Sequence, residues 1–166
     1  TIFTAGESAL EKDLLWTGSD DGLIYISKNG GQHWDNVTPP EAGKWMMWNC
    51  VESDPFKKGT AYFVGTKYKM DDFTPYIFKT EDYGKTWTNM LAGKNIDGYA
   101  LCMIQDPAEP NLIFAGSEHG LWVSFDNGNS FQHWKNDDFP AVSTFDLAIQ
   151  EREGDLAIAT FGRTLW

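Results

Sequence analysis

The residues of this 166-residue chain best suited to chemistry are two adjacent acids, Asp71 and Asp72. They sit with Tyr68 and Phe73 in an insertion over residues 67–75, between two apolar runs. Two carboxylates could serve as general acid and general base, and unusually long loops often carry function. A solvated charge pair on a loop is the plainer reading of the same residues. His119, beside Glu118, is a lone acid–base candidate in a short turn, where a surface histidine needs no catalytic reason. Trp45, Tyr68 and Tyr99 could offer a flat aromatic face to the C–H face of a sugar, although Trp45 and nearby Trp48 could equally pack against a neighbouring sheet. Arg163 completes the ligand-binding candidates. No phosphate loop, zinc spacing or Ser-His-Asp order appears, so no cofactor and no metal is expected.

A second pattern is more regular. The octets Ser27-Lys28-Asn29-Gly30-Gly31-Gln32-His33-Trp34, Thr80-Glu81-Asp82-Tyr83-Gly84-Lys85-Thr86-Trp87 and Ser124-Phe125-Asp126-Asn127-Gly128-Asn129-Ser130-Phe131 share four positions. Ser or Thr comes first, Asp or Asn third, Gly fifth, and Trp or Phe last. Asp82 and Asp126 could be acids or calcium ligands, but one octet used three times implies a repeated structural task. A short carboxylate or amide that bonds N–H groups two residues on closes a turn, and Gly supplies the positive φ. The leading hydroxyl adds a bond to backbone, and the aromatic buries a large area as the return strand begins. Each octet therefore reads as the staple of a hairpin.

Those staples need strands to join. The octets start at residues 27, 80 and 124, so they recur 53 and then 44 residues apart, near the period of about 40–50 residues typical of radial sheet repeats. Short apolar runs with Gly and Pro punctuation favour strands throughout. Four strands per unit, A to D, give units over 1–39, 44–92 and 98–136, with an incomplete one over 143–166. The strands expected are 1–5, 14–18, 23–27 and 32–37; 45–52, 61–66, 76–80 and 85–90; 99–105, 112–117, 121–124 and 130–134; and 143–150 and 155–160. The insertion 67–75 should be a loop between strands B and C of the second unit.

Composition narrows the partners. The net charge of −11 argues against nucleic acid and anionic membrane surfaces, and no run is long enough for a membrane-spanning helix. Cys50 and Cys102 each lie four residues before an Asp-Pro pair, a position that Leu147 holds in the next unit. Equivalent positions point the same way, so a disulfide between the two is not expected. Asn36-Val37-Thr38 fits a glycosylation sequon.

The octets resemble the Asp-box, or BNR repeat, of β-propellers. Leu15-Trp16-Thr17-Gly18-Ser19-Asp20-Asp21-Gly22-Leu23 is similar to the "GT-DDG" entry into strand C of large bacterial BNR-repeat proteins, and Asp155-Leu156-Ala157-Ile158-Ala159-Thr160-Phe161-Gly162-Arg163 to their "DLVIATHGRG" signature. Such proteins resemble sortilin-type propellers and the twin-propeller xyloglucanases, often labelled glycosyl hydrolases by analogy. The resemblance implies an all-β partial propeller of about three and a half four-stranded antiparallel blades. Propellers close with about four to eight, so the rest of a longer chain or a second copy is the expected partner. It further implies that the D–A and B–C loops bind ligand while the octets mark the opposite face. The function implied is a non-catalytic scaffold, or a glycan- or protein-binding segment of a larger exported protein. The alternative is part of a glycoside hydrolase with a pair of carboxylates roughly 5–10 Å apart. A sialidase-like site would want three arginines, and only Arg152 and Arg163 are present.

Overall fold

The structure, a computed structural model, describes residues 1–135 and 139–166. Its strands form three four-stranded antiparallel sheets and one two-stranded sheet, each ordered as in the chain. The first unit holds β1 (Ile2–Glu7), β2 (Leu15–Ser19), β3 (Ile24–Ser27) and β4 (Asp35–Asn36). The second holds β5 (Met47–Ser53), β6 (Ala61–Lys67), β7 (Asp72–Thr80) and β8 (Thr88–Asn89). The third holds β9 (Ala100–Gln105), β10 (Ile113–Ser117), β11 (Gly120–Ser124) and β12 (Gln132–His133), and the fourth β13 (Thr144–Gln150) and β14 (Asp155–Thr160). The first strands stand side by side, β1 against β5, β5 against β9 and β9 against β13. That is the arrangement of radial blades, with the A strands innermost.

Register repeats from unit to unit. The first residue of each octet lies opposite the first position of strand B: Ser27 faces Leu15, Thr80 faces Ala61, and Ser124 faces Ile113. Side chains alternate across each sheet, so one strand feeds two cores. On β6, Ala61 and Phe63 enter the core shared with the first unit, while Tyr62 and Val64 enter the core shared with the third. A third core joins Cys102 and Leu121 to Leu147 of the fourth unit. Phe63 meets the edges of Trp16, Trp48 and Trp87 at 6.1, 5.8 and 5.7 Å between ring centroids. Cys50 and Cys102 are free thiols. Each turns its sulfur toward a backbone carbonyl of the next unit, Met103 and Thr144 respectively.

Two expectations need amending. The fourth strands β4, β8 and β12 have two residues each, against the five or six expected, because side chains in the octets capture N–H groups that a longer ladder would use. Residues 67–75 are not a loose loop. They hold a 3-10 turn, Tyr68–Met70, and β7 already starts at Asp72, paired with Lys67. Asp71 closes this turn in the left-handed region, φ 62°, which short polar side chains tolerate. In the fourth unit, Trp166 and Ile158 exchange both backbone hydrogen bonds at 2.9 Å, so a third strand begins there. The expected end of the third unit at Asn136 lies outside the described residues.

Candidate functional site

The octets build one hydrogen-bonded turn three times. In the second, the N–H of Thr86 donates to Asp82 Oδ1 at 2.8 Å and the Thr86 hydroxyl to Oδ2 at 2.7 Å. The N–H of Gly84 donates to the Thr80 hydroxyl at 2.8 Å. Ser130 and Asp126 repeat the first two contacts at 2.8 and 2.7 Å, and Gly128 and Ser124 the third at 2.8 Å. Asn29 accepts from the N–H of His33 and Ser27 from that of Gly31, both at 2.9 Å. The carboxylate thus reaches four residues on, not two, and the leading hydroxyl spans the turn beneath it. The Ser130 hydroxyl and N–H hold Asp126 at about 2; the Thr86 hydroxyl likewise lowers Asp82 against partial burial. Acids so engaged are poorly suited to donate protons. Trp34 and Trp87 donate their indole N–H to the carbonyls of Gly31 and Gly84. Trp87 also donates to Val37 of the first unit at 2.7 Å, whereas Phe131 has no such donor.

At the opposite ends of the strands the aromatic candidates gather. Tyr68, on the β6–β7 turn, stacks on Tyr99 with centroids 5.2 Å apart, and Phe73 leans on the same ring at 6.3 Å. Trp45, from the connection between the first two units, borders a small cleft of about 110 Å³ with Tyr68. Trp45 is 59% exposed and has φ 66°, a conformation that a bulky residue rarely adopts; Trp48, by contrast, is fully buried. His119 Nδ1 lies 3.2 Å from Asp97, next to Tyr99, whose carbonyl accepts from the N–H of Glu118. Trp45, Tyr68, Tyr99 and His119 therefore share one face. Arg163 is exposed on the turn after β14 and borders neither this cleft nor the larger cavity beside it. Asp71 is exposed at the hairpin tip. Asp72 accepts from the N–H of Thr74 at 3.0 Å and the Tyr76 hydroxyl at 2.8 Å. Burial pushes Asp72 up, but these donors and Lys67 outweigh it and hold it below the usual carboxylate range.

The larger cavity, about 630 Å³, runs along the A strands and is also lined by Tyr68, Lys69 and Tyr99. It contains Asn49, Cys50 and Glu52 of β5 and Asp146 of β13. Burial pushes Glu52 up to about 7, and the nearby charge of Asp146 adds to the shift. Burial, then Glu52, raises the Cys50 thiol to about 12. Glu52 and Asp146 were not among the sequence candidates. Their signal is a charged residue inside an otherwise apolar innermost strand, in Cys-Val-Glu-Ser and Thr-Phe-Asp-Leu.

Radial four-stranded sheets, innermost first strands and one hairpin staple per complete unit define part of a β-propeller. Known proteins agree. A xyloglucanase of Hypocrea jecorina (strain QM6a) is 30% identical over 148 residues, covering 81% of this chain and 17% of that protein. Vacuolar protein sorting/targeting protein 10 of Aspergillus fumigatus (strain CBS 144.89 / FGSC A1163 / CEA10) is 26% identical over 140 residues, covering 80% and 8%. Among solved structures, an ancestral GH74 enzyme superposes with TM-score 0.70 at 17% identity, over 96% of this chain and 22% of that one. YCF48 bound to D1 peptide superposes with TM-score 0.69 at 16% identity, over 99% and 53%. No family model matches. The chain spans less than a fifth of these curated relatives. The resemblance to sortilin-type and xyloglucanase-like propellers is borne out, and the structural likenesses show the fold alone.

Proposed function

We propose that this chain is a non-catalytic, ligand-binding segment of a larger β-propeller protein that works outside the cytoplasm. In this reading the octets are Asp-boxes that staple the blades, and the opposite face takes a glycan or protein ligand. One observation carries it: Trp45, Tyr68, Phe73 and Tyr99 cluster on that face, and three of them are at least 36% exposed. Solvent-facing aromatics grouped in this way mark recognition surfaces. Glycan and peptide arrays probed with the chain and with its Trp45→Ala, Tyr68→Ala and Tyr99→Ala variants test it. Binding should fall in each variant; binding indifferent to all three would remove this face from the account.

A second reading rests on the axial cavity and on the xyloglucanase relative. Glu52, raised toward neutrality, has the character of a general acid, and Asp146 in the same cavity supplies the second carboxyl of the pair that glycoside hydrolysis uses. Turnover of β-glucans by the full-length parent, with Glu52→Gln, Asp146→Asn, Asp71→Asn and Asp72→Asn variants, separates the two. Turnover untouched by all four would leave only the binding role.

A further inference from the structure

We propose that the small cleft between Trp45 and the β6–β7 hairpin is an anchor pocket for one apolar side chain of an acidic peptide. The inference rests on the ligand-binding reading of this face and names its ligand class. At about 110 Å³ the cleft is far smaller than the roughly 300–1,000 Å³ of small-molecule sites, and suits a single side chain. Its walls are Trp45, Met47, Tyr68 and Met70, with Lys67 and Lys69 and, among the polar residues, Thr66 and Asp20. Methionine walls adapt to apolar shapes.

Apart from the lysines, the polar groups around the cleft are already engaged. The Thr66 hydroxyl meets Asn49, Asp72 holds Thr74 and Tyr76, and Asp20 accepts from the Thr1 nitrogen. A sugar entering here would bring hydroxyl protons that find few free acceptors, a costly mismatch; an apolar side chain brings none. Trp45 supplies a second line of argument. Its left-handed backbone is strained, yet its side chain is 59% exposed, so packing within the chain does not offset the strain. A bound side chain would cover it.

Charge selects the flanks of the peptide. The molecule carries −11 overall, yet Lys67 and Lys69 line the cleft, Lys44 precedes Trp45 in the chain, and none of the three has a carboxylate within 4.0 Å among the described residues. Lys67 Nζ reaches across to the Trp45 turn, 3.3 Å from where a Gly43 Cβ would stand. Asp71 donates its N–H to the Tyr68 carbonyl, and its carboxylate is the one in the hairpin without a hydrogen-bond partner among the described residues. Complementary charge on a partner steers and orients its approach.

Five methionines make the test direct. Met47 and Met70 border the cleft, while Met46, Met90 and Met103 are buried in the cores and report whether each variant folds. With methionine methyls labelled with ¹³C, the chain is titrated with capped Asp-Asp-Leu-Asp-Asp, with the same peptide carrying Ser for Leu, and with cellotetraose. The leucine peptide should shift the Met47 and Met70 methyls, and the serine peptide should bind roughly tenfold more weakly or worse. Trp45→Ala should abolish the shift and Trp134→Ala should not, and added salt or Lys67→Ala with Lys69→Ala should weaken it. If cellotetraose alone moved the two methyls, the peptide assignment would be overturned while the binding role of the face survived. If no probe moved them, the pocket would be excluded; Tyr99, which lies outside it, would still test the face independently on the arrays.

Discussion

Gly84 and Gly93 have similar backbones, φ 80° and 72°, but their replacement by Ala should differ in cost. At Gly93 an added Cβ meets nothing within 4 Å, whereas at Gly84 it would stand 2.6 Å from Val37 Cβ of the preceding unit. Gly93→Ala should cost about 1–2 kcal/mol through the left-handed backbone, and Gly84→Ala about 1–3 kcal/mol more through overpacking; urea midpoints at equal m-value measure both. Two carboxyls should give pH dependences of opposite sign. Asp126 is depressed to about 2, so the stability it confers is present above the unfolded value near ~4 and is lost as pH falls through about 2. Glu52, raised to about 7, holds its proton when folded and releases it near ~4.3 when unfolded, so stability falls as pH rises through that window. Asp146→Asn should shrink the Glu52 effect in urea titrations run from pH 4 to 8. The octets were legible because the hydrogen bonds that close their turns are local. Glu52 and Trp45 were harder to read, since burial by a neighbouring sheet and a strained φ come from tertiary context.

Between elements, the latch at Glu11 carries a similar lesson. Glu11 lies in the β1–β2 turn, and its carboxylate accepts from the N–H of Gly59 at 3.1 Å and the Tyr83 hydroxyl at 3.0 Å. Lys28 Nζ stands 4.6 Å from the centre of the Tyr83 ring. Four connections from two sheets meet there, yet no local pattern in Glu11-Lys12-Asp13 announces it. Tyr83→Phe should cost about 1 kcal/mol, the usual net worth of one hydrogen bond, and Glu11→Ala somewhat more because two donors lose their partner. A double-mutant cycle on thermal midpoints would show non-additivity if the pair acts as one unit. The β6–β7 hairpin shows the reverse difficulty. Its polar composition suggested a loop, but Lys67 pairing with Asp72 and the acceptors of Asp72 extend the sheet instead.

For the whole molecule, the succession of four-stranded sheets followed from octet spacing, because a repeated staple fixes a repeated sheet. What spacing alone does not show is how the end faces are covered. Phe145, Phe161, Leu165 and Trp166 of the fourth unit are 46–75% exposed, and Ile2 and Phe3 of the first are 65% and 56% exposed. Apolar faces of this extent seek cover, so the chain on its own should self-associate. Sedimentation should show a concentration-dependent increase in mass that Phe161→Ser with Leu165→Ser suppresses, despite the repulsion expected at −11.

The glycines under the staples also fix where this architecture can be cut. Val37 sits against Gly84 of the following sheet, and Met90 sits against Gly128 in the same way. A module excised at a sheet boundary would leave a socket without its plug. The heritable cassette is therefore staggered, running from one outer strand into the next turn, and grafts between related proteins should respect that offset.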